Sequence, residues 1–309
     1  MPRVLIVGSA NVDFTIALPR LPGVGETVSE GTLLVNHGGK GANQAVAARR
    51  LGADTRLVGC VGDDASGRAV RAALAAEGIG VDGLVTTDAA ATGAALIVVD
   101  AQGRNQIAVA PGANRRLTIA EVTGRAGDFA WAEVVVVSLE VPLATARWVV
   151  EEARRRHVIT ILNPAPLPDA PLDFLGSVDY LTPNTGEAAR LAGIAVDDDA
   201  GAQQAAMALR ARGVGTAVIT LGDRGVLALG AGGEVRIPAH DVAAIDTTAA
   251  GDAFNGALAV ALAGRRPLAD SLAFANAAAA LTCTRRGAQP SLPTREEVER
   301  LLAAKEGET

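Results

Sequence analysis

The chain has 309 residues, enough for one large α/β unit or two modest domains. Charged residues make up 20% and the hydrophobic set 49%, which supplies a substantial core and excludes global disorder. A net charge of -6, with no basic block longer than Arg154 to Arg156, argues against nucleic acid as the main partner. Cys60 and Cys283 lie in apolar sequence without metal-ligand spacing, which suits buried thiols in a reducing compartment. The first residues run straight into a short strand, and the longest apolar patches, near residues 258–263 and 277–281, are far short of a membrane span. A cytoplasmic protein with no membrane partner is the expectation.

In chain order, apolar runs at residues 4–7, 55–58, 134–137, 158–162 and 217–221 read as buried strands, each beside a helical stretch rich in Ala, Leu, Glu and Arg. This rhythm predicts an α/β fold with a mainly parallel sheet between helices. Ligands of such sheets gather at the carboxyl ends of the strands. Two parts break the rhythm. Residues 30–36 are strand-like, and residues 92–100 with 105–110 read as a hairpin around Ala101, Gln102, Gly103 and Arg104. With no helices between them, these pieces predict a small antiparallel sheet standing off the main body, whose exposed face needs cover from closure over substrate or from a second copy. A further hairpin, residues 226–229 with 234–237, reads as a decoration. Beyond Gly251 the chain is nearly all helix, at residues 252–262, 268–281 and 295–304, with glycines and prolines at the breaks.

Several clusters carry candidate chemistry. After the first strand come Gly8, Asn11 and Asp13, which suit either a polyol or a capped turn. Residues 36–45, Asn-His-Gly-Gly-Lys-Gly-Ala-Asn-Gln-Ala, miss the Walker pattern because Gly41 follows Lys40. Their glycines give a ligand access to backbone beside Lys40 and Asn43, although a structural turn could also use them. Asn184 and Glu187, three apart on a first helical turn, suit water-mediated magnesium or a capping box, and the two roles can coexist. Residues 220–225, Thr-Leu-Gly-Asp-Arg-Gly, could admit nucleotide phosphates. Finally, residues 245–256 read Ile-Asp-Thr-Thr-Ala-Ala-Gly-Asp-Ala-Phe-Asn-Gly. Small residues at a helix start expose unpaired amides to an anion, with Asp252 as a proton acceptor beside them. That pairing suits phosphoryl transfer, and an ordinary capped helix start competes with it. No Ser-His-Asp or zinc spacing is present.

Taken together, these motifs resemble the carbohydrate kinases of the ribokinase family, essentially end to end. The family's first signature matches residues 38–62 and its second residues 246–257, with further likeness at 105–114, 184–187 and 284–293. The resemblance implies a three-layer α/β/α sandwich, one kinase domain over residues 1–309, and a small antiparallel β lid from insertions at about 12–36 and 92–110. The implied reaction is ATP-dependent phosphorylation of D-ribose at the 5-hydroxyl, giving D-ribose 5-phosphate and ADP. It assigns the sugar hydroxyls to Asn11, Asp13, Gly39, Lys40, Asn43 and Glu140. Asp252 would be the general base, and Ala249, Ala250 and Gly251 would give the anion hole. Asn184 and Glu187 would organise Mg²⁺ and phosphate, with Thr220, Gly222, Asp223, Gly225 and Asn276 around the nucleotide. Some members of the family are activated by K⁺, and the matching positions are Asp246, Thr248, Thr282, Arg285, Gly287 and Ser291, mostly through carbonyl oxygens. The resemblance also implies a homodimer through the lids. Fructose, 2-deoxyribose or adenosine are alternative acceptors. One Tyr, two Trp and five Phe leave few aromatic walls for a nucleoside base. A non-catalytic sugar-binding regulator would be expected to lack Asp252, Glu187 or the small residues at 249–251, and all are present.

Overall fold

The computed structural model describes residues 1–102 and 104–306. The strands in chain order are β1 (Arg3–Val7), β2 (Asn11–Ala17), β3 (Thr32–Gly38), β4 (Asp54–Gly62), β5 (Gly80–Thr87), β6 (Gly93–Val99), β7 (Asn105–Ala110), β8 (Val134–Ser138), β9 (Ile159–Asn163), β10 (Tyr180–Leu181), β11 (Thr216–Thr220), β12 (Val226–Gly230) and β13 (Gly233–Ile237). The helices are α1 (Lys40–Arg50), α2 (Ala65–Ala76), α3 (Ile119–Thr123), α4 (Ala126–Trp131), α5 (Leu143–Arg155), α6 (Thr185–Ala192), α7 (Asp199–Ala211), α8 (Ala250–Ala263), α9 (Leu268–Cys283) and α10 (Arg295–Glu306). Among the described residues, no helix is long and apolar enough to cross a membrane.

A nine-stranded sheet runs in the order β13-β12-β11-β10-β9-β8-β1-β4-β5. It is parallel from β11 to β5, and β12 and β13 add an antiparallel edge. The hairpin expected as a decoration is therefore part of this sheet, because Val226, Leu227 and Ala228 are apolar enough to be buried there against β11. Strand β5, rich in Gly, Asp and Thr, gave no apolar run to read, and it pairs with β4 at the opposite edge.

Side-chain alternation on the central strands splits the core into two layers. Val4 and Ile6 of β1 face one layer with α1, α8 and α9, while Leu5 and Val7 face the other with α5, α6 and α7. Strand β8 repeats the pattern, with Val134 and Val136 on one side and Val135 and Val137 on the other. The result is an α/β/α three-layer sandwich, and full burial of each such Val or Leu contributes about 1.5–3 kcal/mol. Helix α8 lies close against α1 because Gly256 has no side chain: a Cβ there would meet the Gln44 carbonyl oxygen at 2.8 Å and the Ala47 Cβ at 2.7 Å. That close approach carries the start of α1 up to the start of α8.

A second sheet of four strands runs β3-β2-β6-β7. The expected hairpin of β6 and β7 is antiparallel, and Gly103 in its turn lies outside the described residues. The expected small antiparallel sheet is present in the β2-β3 and β6-β7 pairings, and β2 joins β6 in parallel between them. Strand β2 carries Asn, Asp and Thr and so gave no apolar run, yet its backbone bridges β3 and β6.

Candidate active site

The strand order reverses between β1 and β8, and the loops after these two strands open a crevice at the carboxyl ends. Glu140, just beyond β8, accepts hydrogen bonds from the Ser9 hydroxyl and from the Lys40 N–H, the latter at 3.1 Å. Asn11 opens β2 and is buried, with its Oδ1 accepting from Asn114 Nδ2 at 2.7 Å. Asn114 Oδ1 in turn accepts the Ala10 N–H at 3.0 Å, which fixes both amides and leaves Asn11 Nδ2 as a donor. Asp13 stands two residues along β2 on the same face, directly opposite Asn36. Gly38 makes room for it, since a Cβ there would lie 2.0 Å from Asp13 Oδ2.

From the other side, the start of α8 brings in Asp252, which is buried. Asn43 Nδ2 donates to its Oδ2 at 2.9 Å and Gln44 Nε2 to its Oδ1 at 3.3 Å. Asn43 Oδ1 is buried and meets no hydrogen-bond donor among the described residues, which makes it a ready acceptor for a ligand hydroxyl.

Charge is concentrated here. Burial, then the Glu140 and Asp252 carboxylates, push Asp13 up to about 6. Burial also raises the Asp252 carboxyl, with Lys40, Asn43 and Gln44 pulling against it. The Lys40 ammonium is held above its ordinary value by Asp252 first, then by Glu140 and Glu187, against the opposing effect of burial. Lys40 therefore sits at the junction of the Asp13 and Glu140 acids and the next compartment.

That compartment is a cavity of about 830 Å³. Of the residues expected around phosphate and nucleotide, it is lined by Lys40, Asn184, Glu187, Thr220, Gly222, Asp223, Gly225, Ala249, Ala250, Gly251, Asp252 and Asn276. Asn11, Asp13, Gly39, Asn43 and Glu140 do not line it and lie beyond Lys40 and Asp252. The capping box of α6 is formed, with the Glu187 N–H on Asn184 Oδ1 at 2.8 Å and the Asn184 N–H on Glu187 Oε2 at 2.9 Å. Both residues still face the cavity. Burial raises the Glu187 carboxyl, opposed by the Asn184 N–H, Lys40 and Arg190. Thr220 reaches Asn184 through a parallel bridge, and Asn276 Nδ2 donates to the Pro238 carbonyl at 2.9 Å.

Helix α8 starts from Ala249 in the left-handed conformation, φ 61° and ψ 7°, with no side-chain cap. The Ala250 N–H closes a turn onto the Thr247 carbonyl at 3.2 Å, so the outward donors of this start are the amides of Gly251 and Asp252. A helix start of this kind favours an anion beside Lys40.

The residues expected to hold a monovalent ion form two stitched loops. Asp246 accepts the N–H of Thr248 and of Gly287, each at 2.9 Å, and the Cys283 carbonyl accepts the N–H of Ile245 and of Asp246. Arg285 turns its guanidinium to Glu297. Thr282 and Ser291 are buried, with hydroxyls donating to the Ala278 and Ala288 carbonyls. Uncharged oxygen donors of this kind fit a monovalent cation. Among the described residues, no group of three or more His, Cys, Asp or Glu could hold a metal alone. A lone Glu187 fits magnesium carried largely by waters and phosphates.

Several lining or supporting residues were not read from sequence: Gln44, Asn114, Asn163, Thr182 and Asn255. Gln44 had a signal, since it stands beside Asn43 in the first turn of α1. Asn255 had one too, three residues past Asp252 in α8, whereas Asn114, Asn163 at the end of β9, and Thr182 come from segments remote in sequence.

A parallel sheet, a switch-point crevice and an anion-binding helix start beside a buried carboxylate define a phosphoryl-transferring α/β enzyme. The pattern of the pfkB family carbohydrate kinases matches residues 1–295. The chain belongs to that family and is an ATP-dependent phosphotransferase of the sugar or nucleoside class. It is 38% identical to a Haemophilus influenzae ribokinase over 292 residues, covering 94% of this chain and 95% of that one. A Salmonella typhi deoxyribokinase is 31% identical, over 98% of this chain and 99% of the relative. The structure of Arabidopsis thaliana ribokinase complexed with ribose and ATP superposes with a TM-score of 0.91 at 32% identity, covering 97% and 98% of the two chains.

Proposed function

We propose that this chain transfers the γ-phosphoryl group of ATP to the 5-hydroxyl of D-ribose, giving D-ribose 5-phosphate and ADP. The observation that carries the reading is the buried Asp252 carboxylate, held by Asn43 and Gln44 where the sugar-facing crevice meets the cavity. Asn11 Nδ2, Asp13, Asn43 Oδ1 and Glu140 offer one donor and several acceptors to a small polyol, with Gly39 and Lys40 closing the pocket. Such pairing discriminates strongly, because a missing hydroxyl leaves a buried group without its partner.

In the proposed reaction the 5-hydroxyl oxygen forms a bond to the γ-phosphorus, the bond to the bridging oxygen of ADP breaks, and Asp252 takes the hydroxyl proton. Orientation matters as much as basicity, since little charge develops on the attacking oxygen in a loose transition state. Lys40 and the outward amides of the Ala249-Ala250-Gly251 turn, those of Gly251 and Asp252, hold the charge of the moving group, the Ala250 N–H being already bonded to the Thr247 carbonyl. Thr220, Gly222, Asp223, Gly225 and Asn276 seat the nucleotide. Bound magnesium neutralises phosphate charge, and Asn184 with Glu187 would hold it through water. The Asp246 and Thr248 loop with the loop carrying Thr282, Arg285, Gly287 and Ser291 would hold potassium.

We further assign residues 1–309 to one kinase domain, working in the cytoplasm. Its lid is the four-stranded sheet built from about 12–36 and 92–110, which excludes competing water on closure and pairs two copies as a homodimer. A second acceptor, 2-deoxyribose, is favoured by the likeness to the Salmonella deoxyribokinase. The test is a coupled ADP-release screen with ribose, 2-deoxyribose, fructose and adenosine, run in potassium and in sodium. Ribose should give the highest kcat/KM, with NMR of the product placing phosphate on the 5-oxygen. If fructose or adenosine matches ribose, the sugar assignment fails.

A further inference from the structure

Beneath Asp252 lies a run of buried polar side chains. Gln44 Nε2 bonds Asp252 Oδ1 and Asn163 Oδ1, each at 3.3 Å. Asn163 Nδ2 donates to the Thr182 carbonyl at 3.4 Å, and the Thr182 hydroxyl donates to Asn255 Oδ1 at 2.7 Å. Asn255 Nδ2 then donates to the Gly251 carbonyl at 2.8 Å. The run leaves α8 at Asp252, passes through α1, the end of β9 and the end of β10, and returns to α8 at the residue just before.

Stability alone explains this poorly. Gln44 is fully buried, yet its Oε1 meets no donor among the described residues. An unpartnered buried acceptor costs about 1–3 kcal/mol. The opposite amide orientation would set Oε1 against the Asp252 carboxylate and the Asn163 carbonyl oxygen, so the geometry admits one assignment. The structure thus keeps an unfavourable group in order to aim Nε2 at Asp252.

We propose that Gln44, Asn163 and Asn255 are positioning residues that act as one network, locking the Asp252 carboxylate and the Gly251 end of the anion-binding turn in a fixed mutual geometry. This rests on Asp252 being the base of the reaction proposed above. Through Thr182 and Asn163, the ends of β9 and β10 that border the nucleotide cavity join the same unit.

The test compares the full-length variants Gln44→Met, Asn255→Leu, the double variant and Asp252→Asn, with kcat and sugar KM measured across pH and folding checked by thermal melts. Gln44→Met should lower kcat by about 10- to 100-fold while sugar KM moves less than about threefold, as expected for loss of an interaction made in the transition state. It should also shift the acidic limb of the kcat profile to higher pH, since a donor to the carboxylate is gone. The double variant should lose little more than the worse single variant, the mark of residues acting as a unit. Multiplicative losses, or an unmoved acidic limb, would overturn the network. If Gln44→Met does not fold, Asn163→Ser removes the same acceptor from Gln44 and must move the same limb. Full turnover by Asp252→Asn would sink the base reading and the network with it. An inactive Asp252→Asn beside a normal Gln44→Met would sink the network alone.

Discussion

The Asp246 carboxylate accepts the backbone N–H of Gly287 at 2.9 Å, joining segments 41 residues apart. Its other oxygen takes the Thr248 N–H. Partial burial raises this carboxyl, but the bonds from Thr248 and Gly287, with Arg286 nearby, outweigh that and hold it below the ordinary carboxylate range. Asp246 therefore works as a clip between the loop that precedes α8 and the loop that follows α9.

If those loops hold potassium, Asp246→Ala should abolish the difference between rates in potassium and sodium while sugar KM changes little. Two charge-assisted bonds would be lost from a half-exposed site, so destabilisation of about 1–3 kcal/mol is expected. Because the folded-state value is depressed, the stabilisation is present above the unfolded value of about 4 and is lost as pH falls through the folded one. An Asp246→Ala enzyme that still responds to potassium would separate the clip from the ion.

Asp13 gives the opposite sign. Its carboxyl is pushed up to about 6 by burial, then by Glu140 and Asp252. If Asp13 accepts a sugar hydroxyl, as proposed above, it must be ionised, so kcat/KM for sugar should fall about tenfold per pH unit below 6, with kcat less affected. The folded state binds this proton more tightly than the unfolded chain does, so ionisation between about pH 4 and 6 lowers stability as pH rises. Asp13→Asn should accordingly melt higher than the parent at pH 7.5, lose that advantage below pH 4, and bind sugar poorly. A parent kcat/KM flat from pH 5 to 7 would remove Asp13 from the site.

Much of this was legible because local patterns carry it. The apolar runs of β1, β4, β8, β9 and β11, and the small residues before Asp252, are signals within a few residues. The failures share a different cause. Strand β2 holds its place by pairing with two strands, although Asn11 and Asp13 make it look like a loop. Asn114 matters only because it reaches Asn11 across 103 residues, and Asn163 because it reaches Gln44 across 119. No period or propensity encodes such encounters; they follow from the topology that brings strand ends together.

Ala249 enters α8 at φ 61°, a conformation that costs a non-glycine residue about 1 kcal/mol or more. Ala249→Gly should relieve that strain and raise stability by up to about 1 kcal/mol, part of the gain being offset by the freer unfolded chain. Ala249→Val should destabilise by more than about 1 kcal/mol, as its branched side chain tolerates positive φ least. Urea midpoints at constant m would check both. Equal stability of the glycine and valine variants would mean the turn is not left-handed in solution.

The face of the four-stranded sheet that carries Asn11 and Asp13 continues outward along the same registers into Leu34, Ile107 and Val109, which are 51%, 58% and 55% exposed. Contiguous apolar surface of this kind is rarely left to water. If the sheet is the lid of a homodimer, as proposed above, a second copy packed on it about a two-fold axis would bury the patch and wall the crevice beside Asp13 at once. A carboxylate in the middle of that contact would be desolvated without a partner, so Ile107→Asp should weaken the dimer by about 100-fold or more. Sedimentation should show a dimer for the parent and a monomer for the variant at micromolar concentration. Sugar KM should rise in the same variant, while ATP KM should hold if the nucleotide occupies the cavity on the far side of Asp252. A parent that sediments as a monomer, or an Ile107→Asp dimer of undiminished strength, would refute pairing through this face.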